Sequence, residues 1–193
     1  NVYSKTRKPV LELPVLSMRG CPWSCSFCYK LSPQIRFRDP IKVLDEIEEN
    51  IKSYGMTHLF FAEGTFLAKH AHGQQLCREI LNRGLEKRIS WVAETRVNTV
   101  DEASLQEMRA AGCRAVYFGV ESGDEKSLER CGKGITLDQI RAAVKSTRRA
   151  GMKVGCMVII GHPHETESSI HKTFRFLKEL DPDIMNIGVM IPY

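Results

Sequence analysis

An α/β fold built on a parallel sheet is what this sequence predicts, and three observations predict it. A unit of amphipathic helix, glycine and short apolar run repeats along the chain. Strands that alternate with helices of this length pair in parallel through right-handed crossovers. The strand-like runs are apolar at nearly every position, as expected when both faces of a sheet are covered. Two architectures satisfy the pattern: an open doubly wound sheet, or a partial or complete barrel.

The elements follow in order. "PVLSMRG" is the first strand. "DPIKVLDEIEENIKSYG" is the first helix, with Ile41, Leu44, Ile47 and Ile51 at helical spacing. Asp39 suits its N-cap, Pro40 its first position, and Gly55 the left-handed residue that ends it. "THLFFAEG" has the composition of a strand. "GQQLCREILNRG" then leads into "ISWVAETRV", and "DEASLQEMRAAG" into "CRAVYFGVES". "TLDQIRAAVKSTRRAG" leads into "MKVGCMVIIG", and "TESSIHKTFRFLKEL" into "DIMNIGVMIP". The sum is six strands and five intervening helices.

Bulk properties narrow the function. With 193 residues and 42% hydrophobic content, the chain can bury one proper core. It begins without methionine at "NVYSKTRKP" and stops on the apolar "MNIGVMIPY", which suggests one domain excised from a longer protein. The net charge of +5 is dispersed and suits an anionic ligand. A basic stripe with interleaved aromatics is missing, so nucleic acid is not the expected partner. Apolar runs such as "CMVIIG" are too short to cross a bilayer, and the start lacks the apolar core of a signal peptide. Seven cysteines, three of them clustered, argue for a reduced cytoplasmic setting and a metal or thiol chemistry.

In parallel α/β folds chemistry gathers at the carboxyl ends of strands. Here the cluster Cys21, Cys25 and Cys28 follows the first strand. Glu63 ends the second, Arg96 the third, Glu121 and Ser122 the fourth, and "GHPHE" the fifth. Thiolates select zinc, copper(I) or iron–sulfur clusters. Cys77, Cys113 and Cys156 read as small buried apolar residues, whereas Cys131 lies in a polar loop and stays open. Three thiolates leave one iron of a four-iron cluster without a protein ligand and therefore open to a substrate or cofactor. A metal-free loop and a Cys3His zinc site using His70 or His72 are the alternatives.

"CPWSCSFC" resembles the C-x-x-x-C-x-aromatic-C signature of the radical S-adenosylmethionine (radical SAM) enzymes. The resemblance runs over nearly the whole chain, 1–193. "FRDPIKVLDEIE", "ETRVNTVDEASLQEMRAAGCRAVYFGVESG" and "GHPHET", with "IPY" after them, are similar to the cobalamin-associated branch, with methylthiotransferases as relatives. The resemblance implies a partial (β/α)6 TIM-like barrel. It implies that Cys21, Cys25 and Cys28 hold a [4Fe–4S] cluster whose open iron chelates S-adenosylmethionine. Phe27 would pack near the adenine. Glu63 and Gly64, in "FAEGTF", stand where the family receives the methionine ammonium with a Gly-Gly-Glu motif, in altered order. Glu121 and Ser122 would reach the ribose or the methionine end, and Arg96 and Lys133 the carboxylate. In the adenine-supporting G-x-I-x-G-x-x-G pattern, Ile159 and Gly161 match while Met157 and His164 depart. Ile191, in "MIPY", would offer its backbone to the adenine edge. His162 and His164, where the family has "GLPGE", read first as loop substitutions and second as substrate-facing groups.

The implied activity is reductive cleavage of S-adenosylmethionine to a 5′-deoxyadenosyl radical that abstracts hydrogen. It could serve cobalamin-dependent methyl transfer, with a cobalamin-type domain and a C-terminal segment outside this sequence. No D-x-H-x-x-G stretch is present to hold cobalamin here. The substrate would be a small molecule or peptide, and the reductant a flavodoxin or ferredoxin. The rivals are methylthiolation, oxidation or rearrangement by the same machinery, and a non-catalytic iron–sulfur electron carrier, which would need a fourth cysteine.

Overall fold

In chain order the elements are β1 (Glu12–Val15), β2 (Met18–Arg19), β3 (Arg36–Phe37), α1 (Pro40–Tyr54), β4 (His58–Phe61), α2 (His70–Asn82), β5 (Ser90–Thr95), α3 (Glu102–Ala110), β6 (Cys113–Glu121), α4 (Glu125–Arg130), α5 (Leu137–Arg149), β7 (Lys153–Ile160), α6 (Glu167–Leu180) and β8 (Ile184–Val189). The computed structural model describes residues 11–29, 32 and 34–191. The opening "NVYSKTRKP" and the last two residues of "MIPY" lie outside them.

Six strands form one parallel sheet in the order β1-β4-β5-β6-β7-β8. The order never reverses. Crossovers of one hand then put every helix on the same side, and the sheet curls into a half-barrel with no switch point. This decides between the two architectures left open by the strand pattern.

Alternation along each strand sorts the side chains. Leu59 and Phe61, Trp91 and Ala93, Val116 and Phe118, and Val154 and Cys156 face the helices and are fully or nearly fully buried. Trp91 anchors this layer. Its ring lies 5.2 Å from those of Phe61 and Phe66, and its Nε1–H donates to the Ala111 carbonyl at 2.7 Å. Glu94, Tyr117, Met157 and Ile159 take the alternate positions and are only half-buried.

The helix signals act as read at α1. Asp39 accepts from the Ile41 N–H at 2.9 Å, Pro40 opens the helix, and Gly55 ends it at φ 69°. Its apolar stripe differs from the expected one. Pro40, Val43, Leu44 and Ile47 are buried, while Ile41 is exposed on the flank. Capping boxes at Asp101/Ser104, Thr136/Gln139 and Thr166/Ser169 start α3, α5 and α6.

Three features depart from the sequence pattern. β2 and β3 form a small antiparallel ribbon, pairing Met18 with Phe37 and Arg19 with Arg36. α4 is a sixth helix of six residues, too short to show periodicity. The last strand is not covered on both faces. Met185, Ile187 and Val189 are 54%, 46% and 68% exposed, and the β7 partners of the first two, Cys156 and Val158, are buried in the core.

Candidate functional site

The cysteine loop leaves the sheet after β1 and is closed at its base by the β2–β3 ribbon. Gly20 makes the closure possible. It sits at φ 86°, and a Cβ there would overlap the Gln34 carbonyl. Cys21 and Cys25 are half-buried and Cys28 is exposed. The Cys28 N–H donates to the Cys25 carbonyl at 3.2 Å, which folds the second interval into a turn. The far side of the loop is tied down by Ser26. Its N–H donates to the Cys131 carbonyl at 3.0 Å and its hydroxyl to the Arg130 carbonyl at 3.2 Å.

Arg96 joins the loop to the strand ends. One guanidinium N–H reaches Cys25 Sγ at 3.5 Å, another the Lys133 carbonyl, and Nε donates to Asn98 at 3.2 Å. The guanidinium also lies 4.7 Å from the Trp23 ring centroid.

Behind Arg96, Lys133 pairs with Glu121, and both side chains are more than nine-tenths buried. A β-bulge between Gly119 and Glu121 leaves Glu121 at φ 62°, a conformation rare for a residue with a side chain. Gly119 leaves room for the pair, because a Cβ there would overlap both charged groups. A charge pair this buried is costly to assemble, so its place at the strand ends points to use. Glu94, one strand away, has no side-chain hydrogen bond among the described residues. Burial raises its pKa, the Glu121 charge adds to the rise, and Lys133 opposes it.

The remaining expected residues divide. Glu63 is buried and accepts from both the N–H and the hydroxyl of Ser17. Burial raises its pKa, against the Ser17 hydrogen bonds and the Arg38 charge. With Ala62 and Gly64 it lines an open cleft of 690 Å³ that Cys21 and Cys28 also line. Ser122 turns to the helix layer, where its hydroxyl meets Thr173 at 3.1 Å and accepts from the Asp124 N–H at 3.2 Å. Gly161, at φ 88°, donates its N–H to Glu165 at 2.6 Å. Ile159 lies on the half-buried inner face, and Ile191 is 62% exposed beyond β8.

Comparison with known proteins matches residues 15–177 to the radical SAM superfamily. The chain belongs to the radical SAM superfamily. An uncharacterized methyltransferase of Pyrococcus horikoshii is 35% identical over 93% of this chain and 39% of its own length. The anaerobic magnesium-protoporphyrin IX monomethyl ester cyclase of Cereibacter sphaeroides is 30% identical over 91% of this chain and 29% of its own. The chain therefore spans well under half the length of these relatives. The radical SAM methyltransferase TsrM of Kitasatospora setae, solved with tryptophan and a SAM analogue, shares the fold. Its TM-score is 0.83, at 22% identity over 92% of this chain and 35% of that one.

Radical SAM enzymes use a [4Fe–4S] cluster and S-adenosylmethionine, and the residues present fit that pair. Three thiols stand on one pinned loop, a guanidinium rests on one of them, and two line a cleft of the size that ligand sites occupy. The two histidines of the zinc alternative have other neighbours. His70 faces Asp101 at 3.6 Å and His72 packs on Phe37 at 4.8 Å. Among the described residues no three or more His, Cys, Asp or Glu converge on a single-ion site. Cys77, Cys113 and Cys156 are buried in the core, where burial pushes the Cys77 thiol up to about 12 and Cys156 to about 11.

Sequence reasoning passed over Glu94 and left Cys131 open. Cys131 is fully buried, with Sγ 3.7 Å from His162 Nε2. His162 in turn meets Phe27 edge-on at 5.6 Å and stacks on His164 at 5.4 Å. Glu94 had a signal, a lone acid inside the apolar "SWVAET". The Cys131–His162 contact joins residues 31 apart and had none.

Proposed function

We propose that this chain is the radical-generating core of a cobalamin-associated methyltransferase of the cytoplasm. The supporting observation is convergence: Arg96 reaches both Cys25 and the Lys133 carbonyl, and Lys133 pairs with Glu121. In this reading Cys21, Cys25 and Cys28 hold the [4Fe–4S] cluster and leave one iron open to S-adenosylmethionine. When bound, the cluster supplies the electron that breaks the sulfonium carbon–sulfur bond.

The chain's own residues place and shield the ligand. Arg96 and Lys133 set positive charge at the barrel mouth for its carboxylate, and Glu63 beside Gly64 receives its ammonium. Glu121, held at the bulge by Lys133, offers its second oxygen to the ribose hydroxyls, while Ser122 supports it from the helix side. Phe27 gives a ring face to the adenine. The backbone at Ile159, Gly161 and Ile191 borders the far side. The methyltransferase names among the relatives support methyl transfer, with cobalamin held outside this chain. The cyclase relative makes oxidation the second reading.

The test is anaerobic reconstitution with iron and sulfide, reduction, and low-temperature EPR with and without S-adenosylmethionine. The expected result is a four-iron signal that changes with the ligand and is lost in Cys21→Ala, Cys25→Ala and Cys28→Ala. A signal indifferent to the ligand selects an electron carrier. Bound zinc without sulfide overturns the proposal. With substrate, a product lacking an added methyl carbon selects oxidation.

A further inference from the structure

Helix α4 carries its charges in two stripes. Lys126 and Arg130 stand four residues apart and form one stripe, and Glu125 and Glu129 form the stripe beside it. Ser127 and Leu128 are buried and hold the helix down. The basic face opens on a pocket of 280 Å³ lined by Lys126, Arg130, His164, Lys172 and Asp124 among others. Lys172 Nζ already matches the Asp124 carboxylate at 2.6 Å. Lys126 and Arg130 have no ion pair among the described residues. The acidic face belongs to a separate hollow that Glu125 and Glu129 line with Gly132 and Thr136. The pocket therefore carries an excess of positive charge.

The same segment holds the cysteine loop. Ser26, between Cys25 and Cys28, bonds to the Arg130 and Cys131 carbonyls. On the opposite wall, His164 stacks on His162, which meets the Phe27 ring. One hydrogen-bonded step on one side and two ring contacts on the other separate the pocket from the loop between two of the three thiols. A protein seated there would sit against the segment that holds the cluster loop.

We propose that this basic pocket is the docking surface for an acidic one-electron donor protein of the flavodoxin class, which reduces the cluster. The proposal rests on the reading of Cys21, Cys25 and Cys28 as the cluster ligands. One electron leaves the donor and one enters the cluster, with no bond made or broken. Opposite charge at such a surface acts on encounter, and its effect falls as salt screens it.

The experiment follows bleaching of the iron–sulfur absorbance by stopped flow in the reconstituted full chain. Reduced flavodoxin is one donor, and photoreduced deazaflavin, small and uncharged, is the control. The proteins are wild type, Lys126→Glu/Arg130→Glu and Lys126→Gln/Arg130→Gln. The flavodoxin-driven rate is expected to fall about tenfold or more on charge reversal and less on neutralisation. In the wild type it slows as salt is added, and the deazaflavin-driven rate is the same in all three. Equal flavodoxin rates in the three proteins, or a wild-type rate indifferent to salt, overturn the proposal. If charge reversal lowers the cluster content, the neutral pair compared with wild type decides in the same way. A wild-type chain that forms no cluster overturns the reading beneath the proposal as well, whereas a normal cluster reduced equally fast in all three overturns the docking surface alone.

Discussion

Glu94 shows what a single side chain adds to the barrel. It stands on the inner face of β5, near Glu121 and Lys133, and burial raises its pKa. An acid with a raised folded-state pKa binds its proton more tightly folded than unfolded. Its contribution to stability is then present at acid pH and is lost as pH rises from the ordinary carboxylate value through the folded one. Glu94→Gln removes that loss. The melting temperature of the variant relative to wild type should therefore be higher at about pH 8 than at about pH 4. Differential scanning fluorimetry across that range reads it, and an offset that does not change with pH would rule the assignment out. The cysteines were legible without any structure because their spacing lies within eight residues. The Lys133–Glu121 pair was legible only as two separate candidates. Their contact depends on the bulge at Gly119 and on a loop that returns to the strand end, and no local pattern encodes either.

Among the elements, the ribbon matters more than its size suggests. β2 and β3 contribute two residues each, yet they close a loop that carries every cysteine assigned to the cluster. Gly20→Ala should open that base, because the new Cβ meets a backbone carbonyl that cannot swing away and the φ of 86° disfavours any L side chain. A local cost of about 1–3 kcal/mol is expected. It falls on the loop, so the far-UV circular dichroism should stay unchanged while iron and sulfide retained after reconstitution drop together. Full retention in Gly20→Ala would mean that the ribbon does not hold the loop. The sheet and five helices were legible because each carries a period or a capping residue over many positions. The ribbon and α4 were not, since two or six residues hold too few repeats to rise above composition.

At the scale of the molecule, the sheet is one layer whose stability depends on what covers each strand. Val158 of β7 and Ile187 of β8 are register partners on the same face, and one is 2% exposed while the other is 46% exposed. The apolar sequence of β8 gave no hint of this, because composition reports affinity for an apolar neighbour and not whether one is there. Paired substitutions measure the difference directly. Val158→Thr puts a hydroxyl into a covered layer and should cost about 1–3 kcal/mol. Ile187→Thr touches solvent and should change stability by about 0.5 kcal/mol or less. Denaturant midpoints of the two variants against wild type decide it in this chain. The same pair in the full-length protein asks a further question. If Ile187→Thr there costs as much as Val158→Thr, the outer face of β8 is covered by another part of the protein, and the half-barrel is completed on that edge. If the asymmetry persists, β8 is a true edge, and the stability of the site rests on β4 to β7, the strands that carry Glu63, Arg96 and Glu121 at their carboxyl ends.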